Sequence, residues 1–195
     1  MEEKMYTSDL SGHCNESTAW QILKETSETL IHKGLHPIDP YCIEIRDDGH
    51  FSLDLAAASD NHNGFDAPET TENQLAESGS VWSLGATVFF IAMGCQVMNG
   101  KGGKAQHESS KLPYMRSALP LLSETIQQCL HYHPESRPSL QKIHDLAVQW
   151  FDFCNDEVKK GPKFQEKGQL ISDTAGQTGK ELDFWPEAMQ QGKNE

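Results

Sequence analysis

Cys42 and His36 are the residues whose types and spacing come nearest to nucleophilic chemistry. A thiol needs a base to become a thiolate, and His36 lies six positions away across a proline-rich loop, within reach of it. Such a site also needs an oxyanion hole and a third group to orient the imidazole, and the sequence supplies neither. With Cys14, Cys95, Cys129 and Cys154 the cysteines number five. The count is odd and no two lie at a short pairing spacing. Cys95 and Cys129 sit within or beside apolar runs, so buried free thiols in a reducing cytosol are expected. Metal chemistry has two starting points among nine histidines: His131 and His133 flank Tyr132, and His13 precedes Cys14. Neither pair has a second half at structural-zinc spacing, so no metal site is expected.

The elements that must position these groups come from a chain of 195 residues with 36% hydrophobic content and a formal net charge of -13. The length allows one domain and a tail. That negative charge disfavours nucleic-acid backbones and anionic membrane leaflets as partners. The first residues, Met1-Glu2-Glu3-Lys4-Met5, carry no apolar run, so no secretory signal is expected and a cytoplasmic location is. The longest apolar stretch, Val81 to Gly94, spans 14 residues, short of the roughly 20 a membrane helix needs.

Residues 1–16 carry no periodic pattern and read as an N-terminal segment. Trp20, Leu23, Leu30 and Ile31 share a helical face behind the capping residues Asn15 to Thr18, and Gly34 stands at the end. The spacing predicts a helix over 17–33. Ile43-Glu44-Ile45 and Phe51-Ser52-Leu53-Asp54-Leu55 alternate on either side of an Asp-Gly turn, the signature of a β-hairpin. On that alternation Phe51, Leu53 and Leu55 face one way, and Asp54 reads as a solvated residue on the other. Val81 to Met93 is apolar almost all round and predicts a central helix capped by Gly94. Residues 99–111 hold three glycines and read as a mobile loop. Leu122, Ile126, Cys129 and Leu130 predict a helix over 119–130, and Ser139 caps a last helix carrying Ile143, Leu146, Ala147, Trp150 and Phe151. The domain is expected over 17–154. The polar stretch 155–195 reads as a disordered tail with one aromatic island at 182–189. In it Phe184, Trp185 and Pro186 are candidate interaction residues.

Three short motifs stand in a fixed order: Gly64-Phe65-Asp66-Ala67-Pro68-Glu69, then Val81-Trp82-Ser83-Leu84-Gly85, then His133-Pro134-Glu135-Ser136-Arg137-Pro138-Ser139. With the elements around them they resemble the C-terminal lobe of a protein kinase over about 17–153. The fold class this implies is mainly α with a small β-hairpin, a kinase-like C-lobe without an N-lobe. The resemblance implies an ion pair between Glu69 and Arg137 that holds the fold. A guanidinium and a carboxylate suit that role because they can join through two parallel hydrogen bonds.

The resemblance also shows what has been lost. About 16 residues precede the first helix, so the glycine-rich loop and lysine that hold ATP are not expected here. Aligning Pro40 with the family's catalytic-loop proline puts Pro37 at the catalytic aspartate and Cys42 at the magnesium-binding asparagine. Proline cannot accept a proton, and a thiol is a poor ligand for magnesium. A shifted register would give Asp39 the base role, and a one-residue slip would give Asp54 the metal role. Neither register restores the Phe-Gly that should follow. Ser80 stands where the family has an aspartate that braces the catalytic loop, so the bracing charge is gone. The kinase non-catalytic C-lobe domain, a protein-interaction module, is similar in extent and in its degraded loops. The expected function is a non-catalytic interaction or regulatory module with a protein partner and no cofactor. The alternative is a phosphotransferase completed by an N-lobe from another chain, using Mg-ATP. A C-lobe without its N-lobe would also expose a former cleft near Pro37, Tyr41 and Leu55, an apolar surface suited to a partner.

Overall fold

Asn15 starts the first helix, α1 (Glu16–Lys33), by accepting the Thr18 N–H at 2.9 Å, and so satisfies a helix-start donor that would otherwise be unpaired. Ala19, Trp20, Ile22, Leu23, Thr26, Ser27 and Leu30 form its buried stripe, and Gly34 ends it at φ 103°. The structure is a computed structural model that describes residues 4–36, 38–54, 64–70, 76–111, 115 and 120–160, with the backbone alone at 99, 100 and 156–160. The chain divides into two units, Met1–Gly161 and Pro162–Glu195. The second lies outside the described residues, and with it Phe184, Trp185 and Pro186. Pro37 and Leu55 lie outside them as well.

The first unit is mainly helical with a small antiparallel sheet. Its centre is α2 (Glu77–Met93), in which Val81, Trp82, Leu84, Ala86, Val88, Phe89 and Ile91 are all buried. Gly94 closes it in the left-handed conformation at φ 71°, which costs a residue without Cβ little. The third helix, α3 (Pro120–Cys129), lays Leu122, Ile126 and Cys129 toward it. The fourth, α4 (Leu140–Lys160), packs along α1, where the Trp20 and Trp150 rings stack 6.5 Å apart and Lys24 Nζ lies 4.9 Å from the Phe151 ring. The start of α4 is capped twice. Ser139 Oγ accepts the Lys142 N–H, and Glu77 Oε1 reaches across from α2 to accept the Leu140 N–H at 2.7 Å.

Three sequence expectations change. The hairpin, β2 (Ile43–Ile45) and β3 (Phe51–Leu53), is two strands of a three-stranded sheet in the order β1-β2-β3. The added strand β1 (Met5–Tyr6) comes from the segment that showed no pattern and pairs Met5 with Ile45 and Tyr6 with Glu44. Two residues are too few to show alternation, so only the neighbouring edge reveals the strand. The glycine-rich stretch is ordered and packed: Gly103 donates to the Asp66 carbonyl at 2.9 Å, and a Cβ there would run into the Asp66–Ala67–Pro68 backbone. Its buried neighbour Gln106 accepts the Trp82 indole N–H at 3.0 Å and donates to the Leu130 carbonyl at 2.7 Å. A core tryptophan needs such a partner. Finally, α4 continues to Lys160, past the change in composition at 155.

Helices α2 and α3 approach each other at Gly85, where a Cβ would lie 2.6 Å from Cys129 Cβ. Gly85→Ala is expected to lower urea-unfolding stability by about 1–2 kcal/mol, because the overpacking strain exceeds the gain in helix propensity. Gly79→Ala in the same helix, with its nearest neighbour at 3.9 Å, is expected to be neutral or stabilising by up to about 1 kcal/mol. Equal effects at the two positions would refute the close approach.

Candidate functional site

The segment carrying most of the candidate chemistry, 36–42, leaves α1 and enters the sheet. Two hydroxyls of α2 hold its first part: Ser80 Oγ donates to the His36 carbonyl at 3.3 Å and Thr87 Oγ1 to the Ile38 carbonyl at 3.4 Å. Ser80, which the resemblance sets at the family's bracing aspartate, thus meets this segment through a neutral hydroxyl. Asp39 follows and is buried. Its Oδ1 accepts the Tyr41 and Cys42 N–H groups at 2.8 and 3.0 Å, a carboxylate-capped turn.

Cys42 is turned into the same knot. Its Sγ lies 3.1 Å from the Asp39 carbonyl and 3.4 Å from the Asp39 nitrogen. The thiol thus meets both backbone polar atoms of Asp39. Burial pushes the Cys42 thiol up to about 12, which is the opposite of what a nucleophile needs. Tyr41 is half exposed beside it, at 50%.

Asp54 is not the solvated strand residue that alternation predicts. Its side chain is only 16% exposed. Its N–H donates to the Cys42 carbonyl at 2.8 Å, which ties it to the 36–42 segment. Its Oδ2 accepts Lys4 Nζ at 2.7 Å and Tyr6 Oη at 3.1 Å, and Lys4 Nζ also lies 3.5 Å from Glu44 Oε2. The hydrogen bond with Asp54 raises Lys4 above its ordinary value, and desolvation followed by the same carboxylate raises Tyr6. An ammonium thus stands beside the carboxylate oxygen that the slipped register would give to magnesium. The sequence did not point to Lys4 or Tyr6, because the links join positions 50 and 48 apart.

The structure brings Glu69 and Arg137 together. Arg137 Nη1 and Nη2 meet Glu69 Oε1 and Oε2 at 2.6 and 2.9 Å, a two-pronged contact. Nη1 also donates to the Ser78 carbonyl, Nη2 to that of Tyr132 and Nε to that of His131, at 2.8, 3.0 and 2.7 Å. A guanidinium has five N–H donors, and these five bonds use them all. The Arg137 side chain is fully buried while Glu69 is 32% exposed.

The histidine pairs are engaged elsewhere. His131 Nδ1 accepts the His133 N–H at 3.2 Å, and His133 Nε2 lies 3.2 Å from Glu108 Oε1, in a cleft of about 230 Å³ that Tyr132 and Gln106 also line. Cys14 donates to the Asn15 carbonyl at 3.2 Å, and burial raises its thiol to about 11. Among the described residues no three His, Cys, Asp or Glu side chains gather as a metal site would require, and no helix is long and apolar enough to cross a membrane. No protein-family model matches the chain.

Burial holds Cys42 and Cys129 up at about 12, whereas Cys95, expected to be buried beside its apolar run, is exposed past the end of α2. The thiolate of the buried pair is therefore rarer by roughly a thousandfold than that of an ordinary thiol at neutral pH. In a timed iodoacetamide reaction read by peptide mass spectrometry, Cys95 is expected to be alkylated first, with Cys42 and Cys129 last. Cys42 reacting first would restore the nucleophile reading.

Proposed function

We propose that this chain is a non-catalytic module for protein interaction or regulation, built on the helical half of a kinase-like fold. The observation that carries the reading is the use made of its two candidate reagents. Asp39 spends Oδ1 on two backbone amides, and Asp54 spends Oδ2 on Lys4 and Tyr6. A general base must meet the proton it removes, and a magnesium ligand must meet the ion. Both carboxylates instead hold the chain's own backbone and side chains.

The kinase lineage rests on the ordered motifs and on the Glu69–Arg137 pairing between the first and last of them. The interaction role rests on what remains accessible, since Met5 and Tyr41 are both at least half exposed. Phe184, Trp185 and Pro186 are carried into the proposal from the sequence. Phosphotransfer completed by another chain's N-lobe would require Lys4 to leave Asp54.

Thermal unfolding of the full chain with and without Mg-ATP separates the two readings. The module is expected to show no change in Tm, because ligand that binds the folded state must stabilise it. A rise of several degrees that disappears in Asp54→Asn would overturn the proposal in favour of a phosphotransferase.

A further inference from the structure

Residues 4–12 are stitched to the rest of the unit at separate points. Strand β1 supplies a two-residue ladder to β2. Lys4 and Tyr6 grip Asp54. Thr7 Oγ1 and the Ser8 N–H both donate to the Pro40 carbonyl, at 2.8 and 3.0 Å. The Gly12 N–H donates to the Ile91 carbonyl at 2.8 Å, near the end of α2. Gly12 itself sits at φ 75°, and a Cβ there would lie 3.5 Å from Gly94 Cα.

These contacts are mostly polar. Thr7 is buried, but Met5 is 55% exposed, and Tyr6 and Leu10 are only partly covered. Segments with few buried apolar contacts open at a lower free energy than the core. The outermost link, Lys4 to Asp54, joins a half-exposed ammonium to a carboxylate and is therefore open to screening by salt.

We propose that residues 4–12 form a strap that opens as one unit, latched by Lys4 and Tyr6 on Asp54, while the helical core stays folded. Closed, the strap pairs the edge of β2 and covers the Pro40 carbonyl. Open, it frees that edge, withdrawing Lys4 from Glu44 and both Lys4 and Tyr6 from Asp54. An open groove of about 760 Å³ between Lys4, Met5 and the stretch from Glu44 to Asp48 already runs along this side of the sheet. The strap's behaviour follows from its own contacts and does not depend on a kinase lineage.

Amide hydrogen exchange on the full chain tests this. The Ser8 and Gly12 amides are expected to exchange faster than the amides of α2 and α4. Lys4→Ala, or about 1 M sodium chloride on the unaltered chain, is expected to speed Ser8 and Gly12 by roughly two- to fivefold. The helical amides keep their rates, and Lys4→Arg restores those of the strap. Acceleration of strap and core in equal measure would show one cooperative unit and overturn the proposal. No change in either Lys4→Ala or high salt would equally overturn it, because Lys4 would then latch nothing.

Discussion

A buried guanidinium is held only if every donor finds an acceptor, and the first unit is arranged around meeting that demand at Arg137. Taking such a charge out of water costs several kcal/mol, which mutual attraction repays only when the geometry is good and the remaining donors are satisfied. Glu69 supplies two acceptors, and the carbonyls of Ser78, His131 and Tyr132 supply the rest. Those acceptors lie on three stretches of chain: the segment after the sheet, the first turn of α2, and the turn that follows α3. Arg137 itself immediately precedes α4. One side chain thus ties the approach to α4 to stretches of chain 68 and 59 positions earlier. The Glu77 cap on Leu140 repeats the link between α2 and α4 a few residues away.

The same principle recurs at other acids of the unit, among them the two weighed as reagents. Glu25 on α1 accepts the Phe51 N–H at 2.6 Å and lies 2.7 Å from His50 Nδ1, which pins the hairpin to the helix. Asp39 closes the turn into β2, and Asp54 holds β1. Each of these carboxylates accepts a backbone amide or a cation of the chain itself, interactions worth more than bonds between neutral groups. Side chains that define a backbone in this way are poorly placed to exchange protons or metal with a substrate. That is the physical basis for the proposal that the unit serves recognition and not catalysis.

How much of this was legible depended on range. The helices α1, α2 and α4 announce themselves through apolar spacing and through Asn15, Gly34, Gly94 and Ser139, all local signals. The hairpin follows from alternation about Asp48-Gly49. Glu69 and Arg137 were legible only through the resemblance, because nothing nearby in the sequence of either residue marks the other. Asp54 was misread because alternation tells which face a residue is on and not what covers that face. Its cover, Lys4 and Tyr6, lies just before and on a strand too short to have a period. Gly103 looked like a sign of mobility because glycine in a polar run usually is one. Here it allows close packing against Asp66–Ala67–Pro68, and only the tertiary structure supplies that reason.

A double-mutant cycle on Glu69→Ala and Arg137→Ala, measured by urea unfolding, tests most directly whether this polar knot organises the unit. The two-pronged geometry and full burial of Arg137 predict a coupling of about 2 kcal/mol or more, toward the upper part of the range for residues in direct contact. A coupling below about 0.5 kcal/mol, the level of an exposed surface pair, would contradict it.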